Sequence, residues 1–198
     1  MYRLEQWEMY TETIAQKKMK ELLTQIIQSY RKNEMEIVRG LLESVKVLLR
    51  KYETAQQNGN KGKLKAIQFS FLHLSVLKGD FEIYIEAFDN RWYLNRYEVN
   101  GIWKANIVYD YYEEYVTFLI KKCEQNIKDF SYKEKQKLRK KAVLDFHTMT
   151  IRILSEHVQK IVELEEFQKL DIEMQGIISF GEYMSESQPI CLWDLEKE

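Results

Sequence analysis

The spacing of apolar residues predicts helices over the first quarter of the chain. From residue 4 to about residue 30 they recur at intervals of three and four, with lysines and glutamates between them, as in an amphipathic helix. A wider apolar stripe predicts a second helix over about 34–56. Asn33 and Glu36 have the spacing of a capping box, which would start that helix. The pattern leaves open whether helices 3–30 and 34–56 are continuous.

In the middle of the chain the apolar period changes from helical to alternating. Residues 56–63 are rich in Gly, Asn, Gln and Lys and predict a polar loop. After it, apolar residues alternate with polar ones in two segments, 67–71 and 81–86. Each segment predicts a strand with one polar face, and on the second strand we expect that face to lie in solvent. Trp92–Val99 is rich in β-prone residues and predicts a third strand. Short turns between the strands predict an antiparallel meander over about 64–99.

Helical spacing returns over about 105–170. Within it, Ser131 and Glu134 form a second capping-box pattern that predicts a helix start. The segment 176–198 is interrupted by glycines and a proline and is predicted to be irregular, with a short helix or strand at 177–183.

These elements predict a helix-dominated α+β fold in the order α-α-β-β-β-α-α. Amphipathic helices pack on a small three-stranded antiparallel meander, because an isolated meander needs such cover. The 198 residues suit a single globular domain spanning 1–198.

Composition narrows the class of protein. Hydrophobic residues make up 45% of the chain and charged residues 31%, and the formal net charge is −1, so no overall charge attracts nucleic acid or an anionic membrane. No apolar run is long enough to span a bilayer, and we expect a cytoplasmic protein with no membrane contact. The composition, rich in Lys, Glu and Ile and poor in Pro, is typical of bacterial proteins.

Motifs for catalysis are absent from the sequence. There is no nucleophile elbow, P-loop or dinucleotide-binding glycine pattern. His147 and His157 are ten residues apart, about 15 Å along a helix, so they do not share a metal from one helix. We therefore predict no metal and no cofactor, and favour a protein that is not an enzyme.

Aromatic residues are abundant, with 13 Tyr, 9 Phe and 4 Trp. Tyr and Trp combine an apolar body with a polar tip and are enriched at interfaces. The sequence predicts a candidate binding patch, with core packing as the simpler alternative. Its residues are Arg91, Trp92, Tyr93, Tyr97, Tyr111, Tyr112 and Tyr115.

A basic run at the start of the predicted helix near residue 131 offers a second candidate surface. Positive charge there opposes the helix dipole, which suggests a use for it in binding phosphates. Acidic segments at 163–173 and 182–198 are alternative partners within the chain. The cations of the run are Lys133, Lys135, Lys137, Arg139, Lys140 and Lys141.

Three hypotheses on function follow. The preferred one is a non-enzymatic interaction or regulatory protein that contacts another protein or a second copy of itself. The alternatives are a nucleic-acid-associated protein that uses the basic run 133–141, and a small-molecule binder or enzyme with a pocket between the sheet and the helices.

Overall fold

The computed structural model describes residues 3–194, except the side chains of residues 3–11, 73, 74 and 77. The helices are α1 (Arg3–Gln57), α2 (His73–Lys78), α3 (Asn106–Tyr109), α4 (Tyr112–Asn126), α5 (Tyr132–His157), α6 (Gln159–Val162) and α7 (Glu165–Gln168). The strands are β1 (Leu64–Phe71), β2 (Glu82–Phe88), β3 (Asn100–Lys104), β4 (Ile172–Glu182) and β5 (Ser187–Asp194).

The described residues form two compact units. The helical unit comprises residues 3–34 and 106–150, and the sheet unit comprises residues 35–105 and 151–194. Both α1 and α5 contribute residues to each unit. That the whole chain folds as one domain stays a prediction.

A single helix, α1, covers 55 residues, so the two predicted N-terminal helices are continuous. The capping box predicted at Asn33 is wrong, because this residue lies inside the helix and its amide donates to the Ser29 carbonyl at 2.8 Å. The polar loop is confirmed from residue 58 onward, where Gly59 adopts the left-handed conformation with φ of 71°.

Within the described residues, the strands form one five-stranded mixed sheet in the order β3-β2-β1-β4-β5. Strand β1 is antiparallel to β2 and parallel to β4, while β2 with β3 and β4 with β5 are antiparallel. The α+β, helix-rich class was predicted correctly, but the three-stranded antiparallel meander is wrong. The predicted irregular C-terminal segment supplies the two missing strands.

Two glycines suggested breaks in this segment, but both lie within β4, where neighbouring atoms leave no room for a side chain. A Cβ on Gly176 would overlap the ring of Trp193 on β5, whose indole N–H donates to the Glu173 carbonyl at 3.2 Å. A Cβ on Gly181 would crowd the backbone at Ser187. Pro189 is tolerated because β5 lies at the edge of the sheet. The segment is therefore extended and paired.

The third predicted strand is also misplaced. Residues Trp92–Leu94 form a 3-10 turn, and β3 begins only at Asn100. Trp92 has a positive φ of 51°, which an extended strand does not allow. Aromatic content favoured a strand here, but the backbone of the loop is set by contacts that local sequence does not reveal.

One face of the sheet is apolar and packs against α1. Phe69 of β1 pairs with Ile85 of β2 and Phe180 of β4, and each is at most 1% exposed. On β3, a Cβ at Gly101 would lie 3.8 Å from the Cβ of Leu48 in α1. The sheet unit therefore has its core between α1 and this face.

The capping box at Ser131 is confirmed. The Glu134 carboxylate accepts from the Ser131 backbone N–H at 2.6 Å, and the Glu134 N–H donates to the Ser131 hydroxyl at 3.3 Å. These reciprocal bonds satisfy two backbone donors and fix the start of α5.

Two glycine-to-alanine variants test the packing of β4 against β5. We expect Gly176→Ala to destabilise the protein by about 1–3 kcal/mol, because the new methyl group displaces the Trp193 ring. Gly40→Ala, in the middle of α1, is the matched control: among the described residues, no atom other than those of the adjacent helix backbone lies within 4 Å of the new methyl, so it should stabilise by about 0.5–1 kcal/mol. Urea denaturation measures both, and a neutral Gly176→Ala would contradict the packing.

Candidate functional site

A row of polar side chains crosses the sheet on the face opposite α1. Asn100, Glu86, Gln68 and Ser179 are neighbours on β3, β2, β1 and β4. The alternating pattern predicts a polar face, in solvent on β2, but Gln68, Glu86 and Ser179 are only 3%, 5% and 2% exposed. The exposure predicted for the polar face of β2 is therefore wrong at Glu86, while Glu82 and Tyr84 are half-buried. Buried polar groups require hydrogen-bond partners, so this row is an unusual feature of the sheet unit.

Glu86 is the carboxyl group in this row, and its pKa is far from the usual value. Its Oε2 atom is buried and has no hydrogen-bond partner among the described residues. Burial raises the pKa of the carboxyl to about 7; the nearby charge of Glu98 raises it further and that of Lys61 opposes the rise. Lys61 is itself buried, which lowers its pKa. Near neutral pH this carboxyl therefore exists in both protonation states.

Aromatic rings shield this face from water. Tyr84 and Phe88 of β2 lie on the same face, at alternate positions of the strand. The Tyr84 ring packs edge-to-face on Tyr183, with centroids 5.4 Å apart. Phe88 packs against Trp92 and Tyr93, with centroid distances of 5.3 and 4.9 Å. Tyr84 and Phe88 therefore flank Glu86 on its own face of the sheet.

The segment that follows β2 is anchored by the carboxylate of Asp89, which is fully buried. Its oxygens accept from the Gly62 N–H at 3.0 Å, the Arg91 guanidinium at 2.6 Å and the Asn95 amide at 2.7 Å. The Arg91 backbone N–H donates to it as well, at 3.0 Å. These hydrogen bonds outweigh the effect of burial and lower its pKa to about 2. Arg91 and Asn95 also donate to the carbonyl of Asn60, which joins this segment to the loop after α1.

We call residues 89–99 the aromatic loop. Trp92, Tyr93 and Tyr97, all predicted binding residues, are 37%, 46% and 46% exposed. Leu94, which is 88% exposed, was not predicted to belong to the binding patch. The spacing of apolar residues does not distinguish an exposed leucine from a buried one. Four large side chains thus face solvent on a loop whose backbone is fixed at Asp89.

The other predicted aromatic residues belong to the helical unit. Tyr112 and Tyr115 are 0% and 1% exposed and pack around Phe146, with ring centroids 5.5 and 5.7 Å from it. The Tyr112 hydroxyl donates to the Arg139 carbonyl at 3.0 Å. Tyr111 is half-buried before α4. Tyr112 and Tyr115 are core residues, so they do not form an exposed surface in this structure.

A buried polar cluster in the helical unit was not predicted. The Tyr109 hydroxyl lies 2.5 Å from Nδ1 of His147, and Thr150 donates to the same hydroxyl at 3.2 Å. In the part of the chain that the structure describes, no three His, Cys, Asp or Glu side chains are grouped as metal ligands. The cluster links α3 to α5, and the sequence lacked a signal for it because its members are 38 and 41 residues apart.

The basic run is partly occupied by ion pairs. Lys135 pairs with Glu124 at 2.5 Å, and Arg139 makes two hydrogen bonds to Glu113 at 2.9 and 3.1 Å. The other four cations are exposed: Lys133, Lys137, Lys140 and Lys141. The nucleic-acid alternative is therefore less favoured, because at least two of the six cations, Lys135 and Arg139, already have acidic partners.

Comparisons with known proteins give no identity for this chain. No protein-family model matches it, and no curated protein or solved structure matches it either. Among the described residues, no helix has both the length and the apolar character needed to cross a membrane. The cytoplasmic localisation and the bacterial source stay predictions.

The pKa of Glu86 predicts a pH-dependent effect of one substitution. Its pKa rises from 4.5 to about 7 in the folded protein, so the stability contributed by the bound proton is present below pH 4.5 and is lost as pH rises through 7. Glu86→Gln resembles the protonated form. We expect little effect at low pH and a stabilisation of about 1–3 kcal/mol near pH 8.

Urea denaturation across this pH range measures the effect. Glu163→Gln is the control, because Glu163 is exposed in the same unit and its charge is not among those that act on Glu86, and it should have a smaller and flatter effect. Equal effects of the two substitutions at all pH values would show that Glu86 is not a buried carboxyl of this kind.

Proposed function

We propose that the sheet unit is a protein-binding module and that the aromatic loop is its contact surface. The observation that carries the proposal is the conformation of Trp92, which combines a partly exposed side chain, 37% in solvent, with a left-handed backbone. A bulky residue adopts positive φ only at an energetic cost, and such strain is concentrated at functional sites. The proposal assigns contact with a partner protein and no catalytic residue.

The composition of the loop supports this function. Trp and Tyr are the residues that most often dominate the energy of protein interfaces. Trp92, Tyr93 and Tyr97 lie within six positions, and Leu94 adds an apolar side chain without a polar group. Single exposed apolar residues are common on any protein, whereas several of them close together in one loop favour an interaction site.

The anchoring of the loop supports it as well. Association is weakened when a partner must order a flexible segment. Here the buried Asp89 carboxylate accepts hydrogen bonds from Gly62, Arg91 and Asn95, so the loop backbone is held before any partner arrives. A preformed surface of this kind loses less entropy on binding.

Site-specific photo-crosslinking tests the proposed surface. A photoreactive amino acid replaces Leu94, which is 88% exposed in the loop, or Leu192, which is 70% exposed on β5 of the same unit. In the cell that makes this protein, we expect a discrete adduct with a partner protein from position 94 and none from position 192. Identical adducts from both positions, or none from position 94, would contradict the proposal.

A second substitution then measures the contribution of the aromatic rings. Trp92→Ala should weaken binding of the crosslinked partner by about 30-fold, the effect of losing about 2 kcal/mol at the centre of an interface. Leu192→Ala should leave the affinity unchanged. Sedimentation velocity of the purified protein shows whether the partner is a second copy of this chain, which would then self-associate through the loop.

A further inference from the structure

Glu86 lies among titratable side chains on the face of the sheet opposite α1. Its side chain is 5% exposed, and its Oε2 atom has no hydrogen-bond partner among the described residues. A buried acceptor normally has a partner, so this oxygen is available to a donor from a bound group. We call the side chains of Glu86, Glu98, Tyr84, Tyr93 and Tyr183 the carboxyl niche.

Three tyrosine side chains of the niche lie close enough to Glu86 to be affected by its charge. Burial raises the pKa of each phenol, and the charge of Glu86 raises it further, at Tyr84, Tyr93 and Tyr183. The rings of Tyr84 and Tyr183 are in edge-to-face contact. The Tyr93 hydroxyl is hydrogen-bonded to Gln68, which is the neighbour of Glu86 on β1. Because aromatic rings attract cations, the surroundings of this carboxyl favour positive charge.

The charges around Glu86 are not balanced when its carboxyl is ionised. The charged side chains that act on it are those of Glu98 and Lys61, which have opposite signs. The ionised Glu86 therefore adds one negative charge that is not neutralised, in a buried position where an unpaired charge is costly. Lys61 does not remove this cost, since Oε2 of Glu86 has no partner among the described residues. A further cation that donates to this oxygen would do so.

The donors that the niche requires are those of a primary ammonium group. Such a group is compact and carries three N–H donors, enough for the Glu86 oxygen, a second carboxylate and a hydroxyl. Glu98 and Tyr93 are exposed and Tyr84 and Tyr183 are half-buried, so the niche borders solvent, from which a slender alkyl chain can approach. The niche is less suited to a metal ion, because in the described part of the chain no three His, Cys, Asp or Glu side chains are grouped as ligands.

We propose that the carboxyl niche binds a primary alkylammonium group. Its N–H groups donate to the Glu86 carboxylate, and its positive charge lies beside the rings of Tyr84 and Tyr183. Two sources have the same chemistry: a free amine, and a lysine side chain of a partner protein bound at the aromatic loop, which contributes Tyr93 and Glu98 to the niche. Only the second source rests on the proposed function.

NMR titration of the full chain with n-butylammonium tests the proposal. The comparison compounds are 1-butanol, which has the same chain without the charge, and tetramethylammonium, which has the charge without N–H donors. We expect n-butylammonium to shift the amide resonances of Glu86 and of Asn100, its neighbour on β3, with a Kd at least about tenfold lower than that of either comparison compound. The absence of a saturable shift, or equal affinity for either comparison compound, would overturn the proposal.

The pH dependence of this binding is a second measurement. The pKa of Glu86 is about 7, and only its ionised form attracts the ammonium group, so the apparent affinity falls with the ionised fraction. The phenols of Tyr84, Tyr93 and Tyr183 have raised pKa values and stay neutral over this range. We expect n-butylammonium to bind roughly 30-fold more tightly at pH 8 than at pH 5.5. Equal affinity at the two pH values would contradict a site centred on this carboxyl.

Substitutions place the binding in the niche. Glu86→Gln should weaken n-butylammonium binding at pH 8 by about tenfold or more, and it should fold, because Gln resembles the protonated carboxyl. Tyr183→Leu should weaken binding by about threefold, from loss of one ring beside the cation. Glu163→Gln, which removes an exposed carboxylate of the same unit, is the matched control and should have no effect. Unchanged binding in Glu86→Gln would overturn the proposal.

The partner crosslinked from position 94 separates the two sources. If Glu86→Gln weakens binding of that partner as well as of n-butylammonium, the ammonium group belongs to a lysine of the partner. If it weakens binding of n-butylammonium alone, the source is a free amine, and both results support the niche. Failure to find a partner at the loop would leave n-butylammonium binding unaffected, whereas failure of n-butylammonium to bind would leave the proposed function of the loop unaffected.

Discussion

The hydrogen bonding of the buried Asp89 carboxylate is the interaction on which the exposed surface of the sheet unit depends. A buried charge is tolerated only when it is fully bonded. Asp89 meets this condition with donors from Gly62, Arg91 and Asn95, which lie in two different loops. Any large movement of the aromatic loop would break these bonds and leave the charge unpaired. The same hydrogen bonds fix the residues on both sides of Trp92, whose backbone has a positive φ of 51°.

Two carboxyl groups at the end of β2 have opposite environments. Asp89 is surrounded by donors, which lower its pKa to about 2, whereas Glu86 is buried beside Glu98 with an unbonded oxygen, and its pKa rises to about 7. The charge of Asp89 therefore contributes to stability above pH 3.8 and loses that contribution as pH falls toward 2. For Glu86, stability decreases as pH rises toward 7. The first group fixes the loop, and the second makes the covered face of the sheet sensitive to protonation.

Local patterns in the sequence predicted the elements whose determinants are local. The helix that includes residues 34–56, the loop after it, β1, β2 and the capping box at Ser131 all have signals within a few residues. The parallel pairing of β1 with β4 joins Phe69 to Phe180, which are far apart in the chain, and no local pattern specifies such a register. The meander was predicted because strands that follow one another in the sequence are usually neighbours in a sheet.

For the same reason, the sequence did not separate the exposed aromatic residues from the buried ones, and the binding role of the patch stays a prediction. Trp92, Tyr93 and Tyr97 are exposed as an interaction surface requires, but Tyr112 and Tyr115 are buried around Phe146. Tyrosine occurs both in cores and at surfaces, so composition alone does not separate the two cases. The anchoring of the aromatic loop to the loop after α1, through Gly62 and Asn60, depends on contacts between distant residues, which only the structure supplies.

Hydrogen exchange of the Gly62 and Arg91 backbone amides tests the central claim most directly. Both amides donate to the Asp89 carboxylate, at 3.0 Å each. If the loop is preformed, NMR should show these amides protected to an extent similar to those of β2, and Asp89→Ala should abolish the protection while that of β2 persists. Exchange at the rate of an unstructured peptide in the wild-type protein would show that the loop is not held before binding, and would contradict the account.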